Sequence, residues 1–111
     1  MVKSLLFTRR ESGTPLLVLT SGANRVDEAL IGKLLGEPIG RATPEQVREA
    51  TGFAIGGVPP IGHATPVETL IDEDLLGFED VWAAAGNPNA VFKLMSADLP
   101  KMTSGRTVRV K

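Results

Sequence analysis

The chain has 111 residues, with 12 Lys and Arg against 13 Asp and Glu, one His and no Cys. This length fits one domain, and a hydrophobic fraction of 42% is ordinary for a globular one. The absence of cysteine excludes disulfides, thiol nucleophiles and thiolate metal ligands, and a single histidine excludes the usual two- and three-histidine zinc sites. No apolar stretch approaches the roughly 20 residues of a membrane span. No secretory signal opens the chain, so a cytoplasmic protein without a membrane partner is expected.

The net charge of −1 is unevenly distributed along the chain. Residues 1–56 carry +1, residues 57–100 carry −6 and residues 101–111 carry +4. The sequence therefore lacks the broad basic surface on which non-specific nucleic-acid binding depends. Any contact with a nucleic acid is expected to be local or assisted by a partner.

The first elements predicted are two strands and two helices. Residues 2–8 read as a strand, and the apolar run 16–20 reads as a strand buried on both faces, which together form a hairpin. A helix is predicted over about 24–35, ending at Gly36. The next helix ends near residue 52 and has a capping signature of Thr43, Pro44 and Gln46. The apolar face of the first helix is expected to consist of Val26, Ala29, Leu30 and Leu34.

The second half of the chain predicts short strands separated by turns. Strands are expected over residues 67–71, 80–85, 90–95 and 106–110, with Trp82 in the core and the last strand at a sheet edge. Residues 72–76 read as a helical turn with a polar cap, and Ser96 is expected to cap a short helix over 97–102. The chain is therefore predicted to be a single α+β domain with a mixed, mostly antiparallel sheet.

Two loops rich in glycine and proline are the first candidates for a site. The segment 56–63 and the turn 86–89 each adjoin an apolar strand, and glycine lets backbone amides approach a ligand. If the two loops meet, they form a small pocket with amide walls and an apolar floor. The alternative is that both loops are only rigid corners, as glycine and proline often are.

Lys3 is the second candidate, because it is a lone cation on an otherwise apolar strand. Its ammonium can orient a carbonyl or a phosphate, or it can simply face solvent. His63 alone does not establish a general base. The acidic run 72–74 is better explained as a charged helix start than as a metal site. Three hydroxyl residues, Ser4, Thr20 and Ser21, lack the histidine and acid spacing of a serine hydrolase.

These motifs, in this order, closely resemble the YbaK/prolyl-tRNA synthetase-associated editing domain family. The resemblance covers essentially the whole chain. It rests on the segments VKSLLF at 2–7, TG at 51–52 with GGVPPIGH at 56–63, IDEDLL at 71–76, VWAAAG at 81–86 and SADL at 96–99. The resemblance implies a compact α/β domain with a curved mixed sheet. It also implies a deacylase that hydrolyses the ester between a wrong amino acid and tRNA, without a metal or an organic cofactor.

The resemblance also implies roles for individual residues. Lys3 matches the family lysine that positions the substrate and is the expected catalytic residue. The loop amides would hold the developing oxyanion, and the ribose hydroxyl of the substrate would help activate water. The residues expected to bind the substrate are Gly56, Gly57, Val58, Pro59, Pro60, Gly62, His63, Ala85, Gly86 and Asn87.

Two departures from the family pattern shape these expectations. Family members usually carry a segment before the lysine strand. The synthetase inserts and the alanine-specific free-standing members also have a histidine on the strand matching 81–86, where this chain has alanines at 83–85. A free-standing enzyme that clears small amino acids from tRNA is the leading hypothesis, with an aminoacyl-tRNA synthetase as a second partner. A catalytically silent module that binds a tRNA end, a synthetase or a nucleotide-like ligand is the alternative. A homodimer in which each chain completes the other's sheet is a third possibility.

Overall fold

Seven strands and three α-helices follow one another within residues 2–53, 57–58, 63, 67–86 and 89–111, which are the residues that the computed structural model describes. The strands are β1 (Val2–Arg9), β2 (Pro15–Ser21), β3 (Ile39–Arg41), β4 (Glu68–Asp72), β5 (Asp80–Ala84), β6 (Val91–Met95) and β7 (Arg106–Val108). The helices are α1 (Glu28–Leu35), α2 (Pro44–Thr51) and α3 (Leu99–Thr103), with 3₁₀ turns at Glu73–Gly77 and Ser96–Asp98.

The strands form a mixed five-stranded sheet and a separate hairpin within the described part of the chain. The order in the large sheet is β3-β1-β2-β4-β7. Strand β1 is antiparallel to β2 and β3, whereas β4 is parallel to β2 and β7. Strands β5 and β6 form the antiparallel hairpin. The prediction of a mixed α+β domain with β7 at an edge is confirmed.

Two hydrophobic clusters cover the two faces of the large sheet. Because successive side chains of a strand point to opposite faces, β1 and β2 contribute to both clusters. The first cluster includes Val2, Leu6, Leu17, Leu19, Val47, Val58, Ile71 and Val81. The second cluster includes Phe7, Leu16, Val18, Ile31, Leu70 and Val110. All residues from 16 to 20 are buried, which confirms the prediction of a strand covered on both faces.

Helix α2 begins as its sequence predicts. The Thr43 side chain accepts a hydrogen bond from the Gln46 amide at 3.2 Å, and the Gln46 side chain accepts one from the Thr43 amide at 2.8 Å. Pro44 lies in the first turn, where a missing amide proton costs nothing. The helix ends at Gly52, in the left-handed conformation. This helix brings Val47 into the first cluster, beside the loop that follows.

Helix α1 starts later and buries a different face than predicted. Asp27 caps its first turn, so residues 24–26 precede the helix. Ile31 is fully buried and Leu35 packs against the second cluster, whereas Leu34 is 38% exposed. Within the helix, the buried stripe is therefore one residue further along than predicted, which is a rotation of about 100° around the helix axis. Val26, which precedes the helix, packs against the second cluster as predicted.

Three other sequence predictions need correction. Trp82 is 47% exposed, because the pleat of β5 turns its neighbours Val81 and Ala83 to the core. Ser96 does not cap a helix, because its hydroxyl donates to the Phe78 carbonyl. Strand β3 was not predicted, since it is only three residues long and has glycine at its centre.

Candidate active site beside the free edge of β1

A cavity of about 290 Å³ lies beside the first half of β1. This volume is at the lower end of small-molecule pockets, so it suits a small ligand group. The cavity is formed by β1, the end of β3, helix α2, the end of β5 and Val58 of the glycine-rich segment 56–63, which we call the first loop. The described residues that line it are Val2, Lys3, Ser4, Leu5, Leu6, Arg41, Ala42, Val47, Val58 and Ala84.

The cavity borders a stretch of sheet edge that no described strand covers. Strand β3 pairs with β1 only over Phe7–Arg9. On the β3 side, the Leu6 carbonyl accepts a hydrogen bond from the Ala42 amide. On the β2 side, the Arg9 amide donates one to the Thr14 carbonyl. Because backbone groups alternate between the two sides of an antiparallel strand, the amide and carbonyl of Ser4 point to the uncovered side. The cavity therefore offers backbone hydrogen-bonding groups as well as apolar walls.

The two glycine loops meet next to this cavity. The Gly86 amide donates to the Gly57 carbonyl at 3.1 Å, and Val58, the next residue, is buried in the cavity wall. Gly86 has a φ of 106°, a conformation that side chains disfavour. The loops are therefore joined, as the pocket hypothesis required. The Gly86 and Ala85 amides are both used inside the protein, the latter by the Ala90 carbonyl at 2.9 Å.

The remaining loop residues are only partly within the described structure. Ala84, rather than Ala85, lines the cavity, because β5 ends at Ala84 and Ala85 is exposed. His63 is half-buried and is not among the described residues that line the cavity. The other residues expected from the family resemblance lie outside the described residues; they are Gly56, Pro59, Pro60, Gly62 and Asn87.

Lys3 borders the cavity, but its ammonium group lies elsewhere. The pleat places Lys3 on the same face as Leu5 and Phe7, which is the face of the second cluster. Its Nζ lies 3.5 Å from the backbone carbonyl oxygen of Asn24, a long hydrogen bond. Val58 packs on the opposite face, in the first cluster. A direct role in the cavity would require the ammonium to face the loop that contains Val58, but in the structure it lies on the opposite face of β1.

Arg41 is a cavity residue that the sequence analysis did not single out. It lies opposite Phe7 in the β1–β3 pairing, and its guanidinium lies 5.8 Å from the centre of the Phe7 ring. Neither Arg41 nor Lys3 forms an ion pair with a described residue. Lys3 and Arg41 both contribute to the cavity lining, but the Lys3 ammonium lies at Asn24 and the Arg41 guanidinium lies over Phe7. Arg41 lies at the cavity because β3 pairs with β1, and a strand of only three residues is not predictable from the sequence.

The acidic run at 72–74 belongs to a buried structural network. Asp72 is 1% exposed, and its Oδ2 accepts hydrogen bonds from Thr20 Oγ1 at 2.8 Å and Asn24 Nδ2 at 2.7 Å. A hydrogen bond from Asn24 and a second contact from Lys111 lower the pKa of Asp74. Within the described part of the chain, no group of three acidic or histidine side chains is placed to hold a metal ion. The same part contains no helix long and apolar enough to cross a membrane.

Comparisons with known proteins agree with this architecture. Residues 1–102 match the aminoacyl-tRNA editing domain family. The uncharacterised protein YwhH of Bacillus subtilis (strain 168) is 31% identical over 103 residues, which are 93% of this chain and 65% of that protein. A proline–tRNA ligase of Lactobacillus acidophilus is 30% identical over 99 residues, which are 88% of this chain but 17% of the ligase.

A solved structure gives a close match in three dimensions. The crystal structure of a candidate trans-editing enzyme for prolyl-tRNA synthetase superposes with a TM-score of 0.94 at 50% sequence identity. The match covers 99% of this chain and 69% of that one. The family match over residues 1–102 and the shared fold show that this chain belongs to the aminoacyl-tRNA editing domain family.

Proposed function

We propose that this chain is a free-standing aminoacyl-tRNA deacylase that removes a small, wrongly attached amino acid from tRNA. The observation that carries the proposal is the small cavity between the uncovered edge of β1 and the joined glycine loops. Its apolar walls and limited volume suit a small acyl group. Membership of the editing domain family and the similarity to a candidate trans-editing enzyme support the same activity. Action on tRNA would place the protein in the cytoplasm.

The reaction needs a water molecule and a site for negative charge. Water attacks the ester carbonyl carbon, the bond from that carbon to the ribose oxygen breaks, and a free amino acid and a ribose hydroxyl result. The ribose hydroxyl next to the ester would help activate the water. Hydrogen bonds from backbone amides stabilise the oxyanion that forms during attack. The Ser4 amide, on the uncovered edge, is a donor suited to this task, together with the amides expected in the loop 56–60.

Lys3 is proposed to position the substrate. Its side chain is exposed, and the hydrogen bond that it donates to Asn24 is 3.5 Å long. The lysine stem is flexible and no described strand pairs with the adjoining edge of β1, so we propose that the ammonium moves around that edge to the cavity mouth. There it would contact a phosphate or the ester of the tRNA end. Arg41 would supply a second contact to phosphate at the same rim.

A deacylation assay with a panel of mischarged tRNAs tests this proposal. We expect release of a small amino acid such as alanine, serine, threonine or cysteine, and no release of a bulky one. Lys3→Ala is expected to remove most of the activity and to leave the thermal midpoint unchanged, because the lysine is exposed. Lys33→Ala, an exposed lysine on α1, is the matched control. Failure of the purified protein to hydrolyse any charged tRNA would refute the proposal.

The second candidate is a binding module of the same fold without catalysis. The position of the Lys3 ammonium favours it, because that group is bound to Asn24 rather than directed into the cavity. The module would hold a tRNA acceptor end or an aminoacyl-tRNA synthetase. Saturable binding of charged tRNA with an intact ester over hours would support the module and exclude the enzyme.

A homodimer is a further proposal about partners. The first half of β1 has no described strand on the β3 side, and this edge can pair with the same edge of a second copy. Such pairing would cover the cavity. Sedimentation at several concentrations tests it, and a monomer throughout would exclude it.

A further inference from the structure

The side chain of Ser4 occupies an unusual position in the cavity wall. It lies between Val2 and Leu6 on β1, both of which belong to the first cluster. The pleat therefore turns Ser4 to the same face as Val47 and Val58, which form the opposite walls. Of the described residues that line the cavity, Ser4 alone has a neutral polar side chain.

The Ser4 hydroxyl has no hydrogen-bond partner among the described residues, and it is shielded from solvent. Other buried hydroxyls in this protein are bonded: that of Thr20 donates to Asp72 at 2.8 Å, and that of Thr51 to the Val47 carbonyl at 2.7 Å. A buried polar group without a partner is unfavourable and rare, and it is often found where a ligand supplies the partner. Serine has three staggered positions about its Cα–Cβ bond, and recognition of a ligand in the cavity requires one that turns the hydroxyl away from its shielded position.

We propose that the Ser4 hydroxyl recognises the side chain of the bound amino acid and makes the cavity selective for a small hydroxylated residue, serine or threonine, over alanine. This inference rests on the proposed deacylase function. A hydroxyl on the ligand gives Ser4 a partner, which no described residue supplies, whereas a methyl group does not. A site that is built to hydrogen-bond a substrate hydroxyl discriminates against a substrate without one for this reason.

The test compares seryl- and alanyl-esters on the same tRNA, with the wild-type chain and Ser4→Ala. The wild type is expected to favour the seryl-ester by about tenfold in kcat/KM, the worth of one hydrogen bond. Ser4→Ala should bring this ratio close to one, because it slows the seryl-ester more than the alanyl-ester. A ratio that Ser4→Ala does not change would overturn the inference while leaving the deacylase function intact. No hydrolysis of either ester by the wild type would instead overturn the deacylase function.

Thermal unfolding gives a second measurement that does not depend on activity. Ser4→Ala removes a hydroxyl without a described partner, so its melting temperature is expected to equal or exceed that of the wild type. Ser96→Ala is the matched control, because the Ser96 hydroxyl donates to the Phe78 carbonyl, and its melting temperature should fall. A fall for Ser4→Ala as large as that for Ser96→Ala would show that Ser4 already has a partner in the free protein, and would overturn the inference.

Discussion

Replacement of Asp72 by alanine is expected to be among the most destabilising single changes in this chain. Asp72 is 1% exposed, and its Oδ2 accepts hydrogen bonds from Thr20 Oγ1, the Ser21 amide and Asn24 Nδ2, at 2.8, 3.2 and 2.7 Å. Its Oδ1 accepts one from the Asp74 amide at 2.9 Å. The network ties the end of β2 to the end of β4, where it also fixes the loop that holds the Lys3 ammonium.

The loss of stability in Asp72→Ala can be estimated from the hydrogen-bond donors that would lose their acceptor. An unpaired buried donor costs about 1–3 kcal/mol, and Thr20 is fully buried, whereas Ser21 and Asn24 are half-buried and gain some hydration. We therefore expect Asp72→Ala to lower the free energy of unfolding by about 3–5 kcal/mol. At about 4 °C per kcal/mol for a domain of this size, the melting temperature should fall by about 12–20 °C.

Urea unfolding followed by circular dichroism measures this change. Glu73→Ala, an exposed neighbour in the same acidic run, is the matched control and should stay within about 0.5 kcal/mol of the wild type. Asp72→Asn keeps the shape of the side chain but exchanges one acceptor for a donor. Its loss of unfolding free energy should therefore lie between those of Glu73→Ala and Asp72→Ala. An Asp72→Ala variant within about 1 kcal/mol of the wild type would refute the role given to this network.

Three further predictions follow from single positions. Gly86→Ala should lower the free energy of unfolding by about 1–2 kcal/mol in urea titrations, because φ is 106° and the new Cβ would lie 3.4 Å from the Phe53 ring. Thr43→Ala removes the α2 cap and should cost about 1 kcal/mol in the same assay. The pKa of Glu37 is lowered by hydrogen bonds from Ser12, first from its amide. Its stabilising contribution is therefore present above the pKa of the unfolded state and is lost as the pH falls through the lower pKa of the folded state. Glu37→Gln should show a shallower loss of stability than the wild type between about pH 5 and pH 3, and an identical slope would contradict this.

The parts of the fold that the sequence predicts well depend on neighbours along the chain. The capping box of Thr43 and Gln46 needs only three residues of spacing, and the burial of residues 16–20 follows from one unbroken apolar run. The incorrect predictions concern side chains whose burial depends on tertiary packing. A one-residue rotation of α1 buries Ile31 instead of Leu30, and the pleat of β5 exposes Trp82. The local sequence predicts neither the buried face of α1 nor the exposed face of β5.

The candidate site was predictable only in part for the same reason. The composition predicts both glycine loops, and the hydrogen bond between Gly57 and Gly86 joins them. Arg41 enters the cavity only because a three-residue strand pairs with β1. The direction of the Lys3 ammonium depends on which face of β1 each cluster covers. Sequence alone also does not reveal that the Ser4 hydroxyl has no partner among the described residues, because that depends on every neighbour in the fold.

The central claim is that this chain hydrolyses the ester of a mischarged tRNA at the cavity beside β1. Single-turnover kinetics with excess protein and one seryl-tRNA, measured for the wild type and for Lys3→Ala, tests it most directly. We expect a wild-type rate at least about a hundredfold above spontaneous hydrolysis, which is the lower end of what a positioned catalytic site contributes. The Lys3→Ala rate should be close to the spontaneous one. A wild-type rate equal to spontaneous hydrolysis, or a Lys3→Ala rate equal to the wild type, would contradict it.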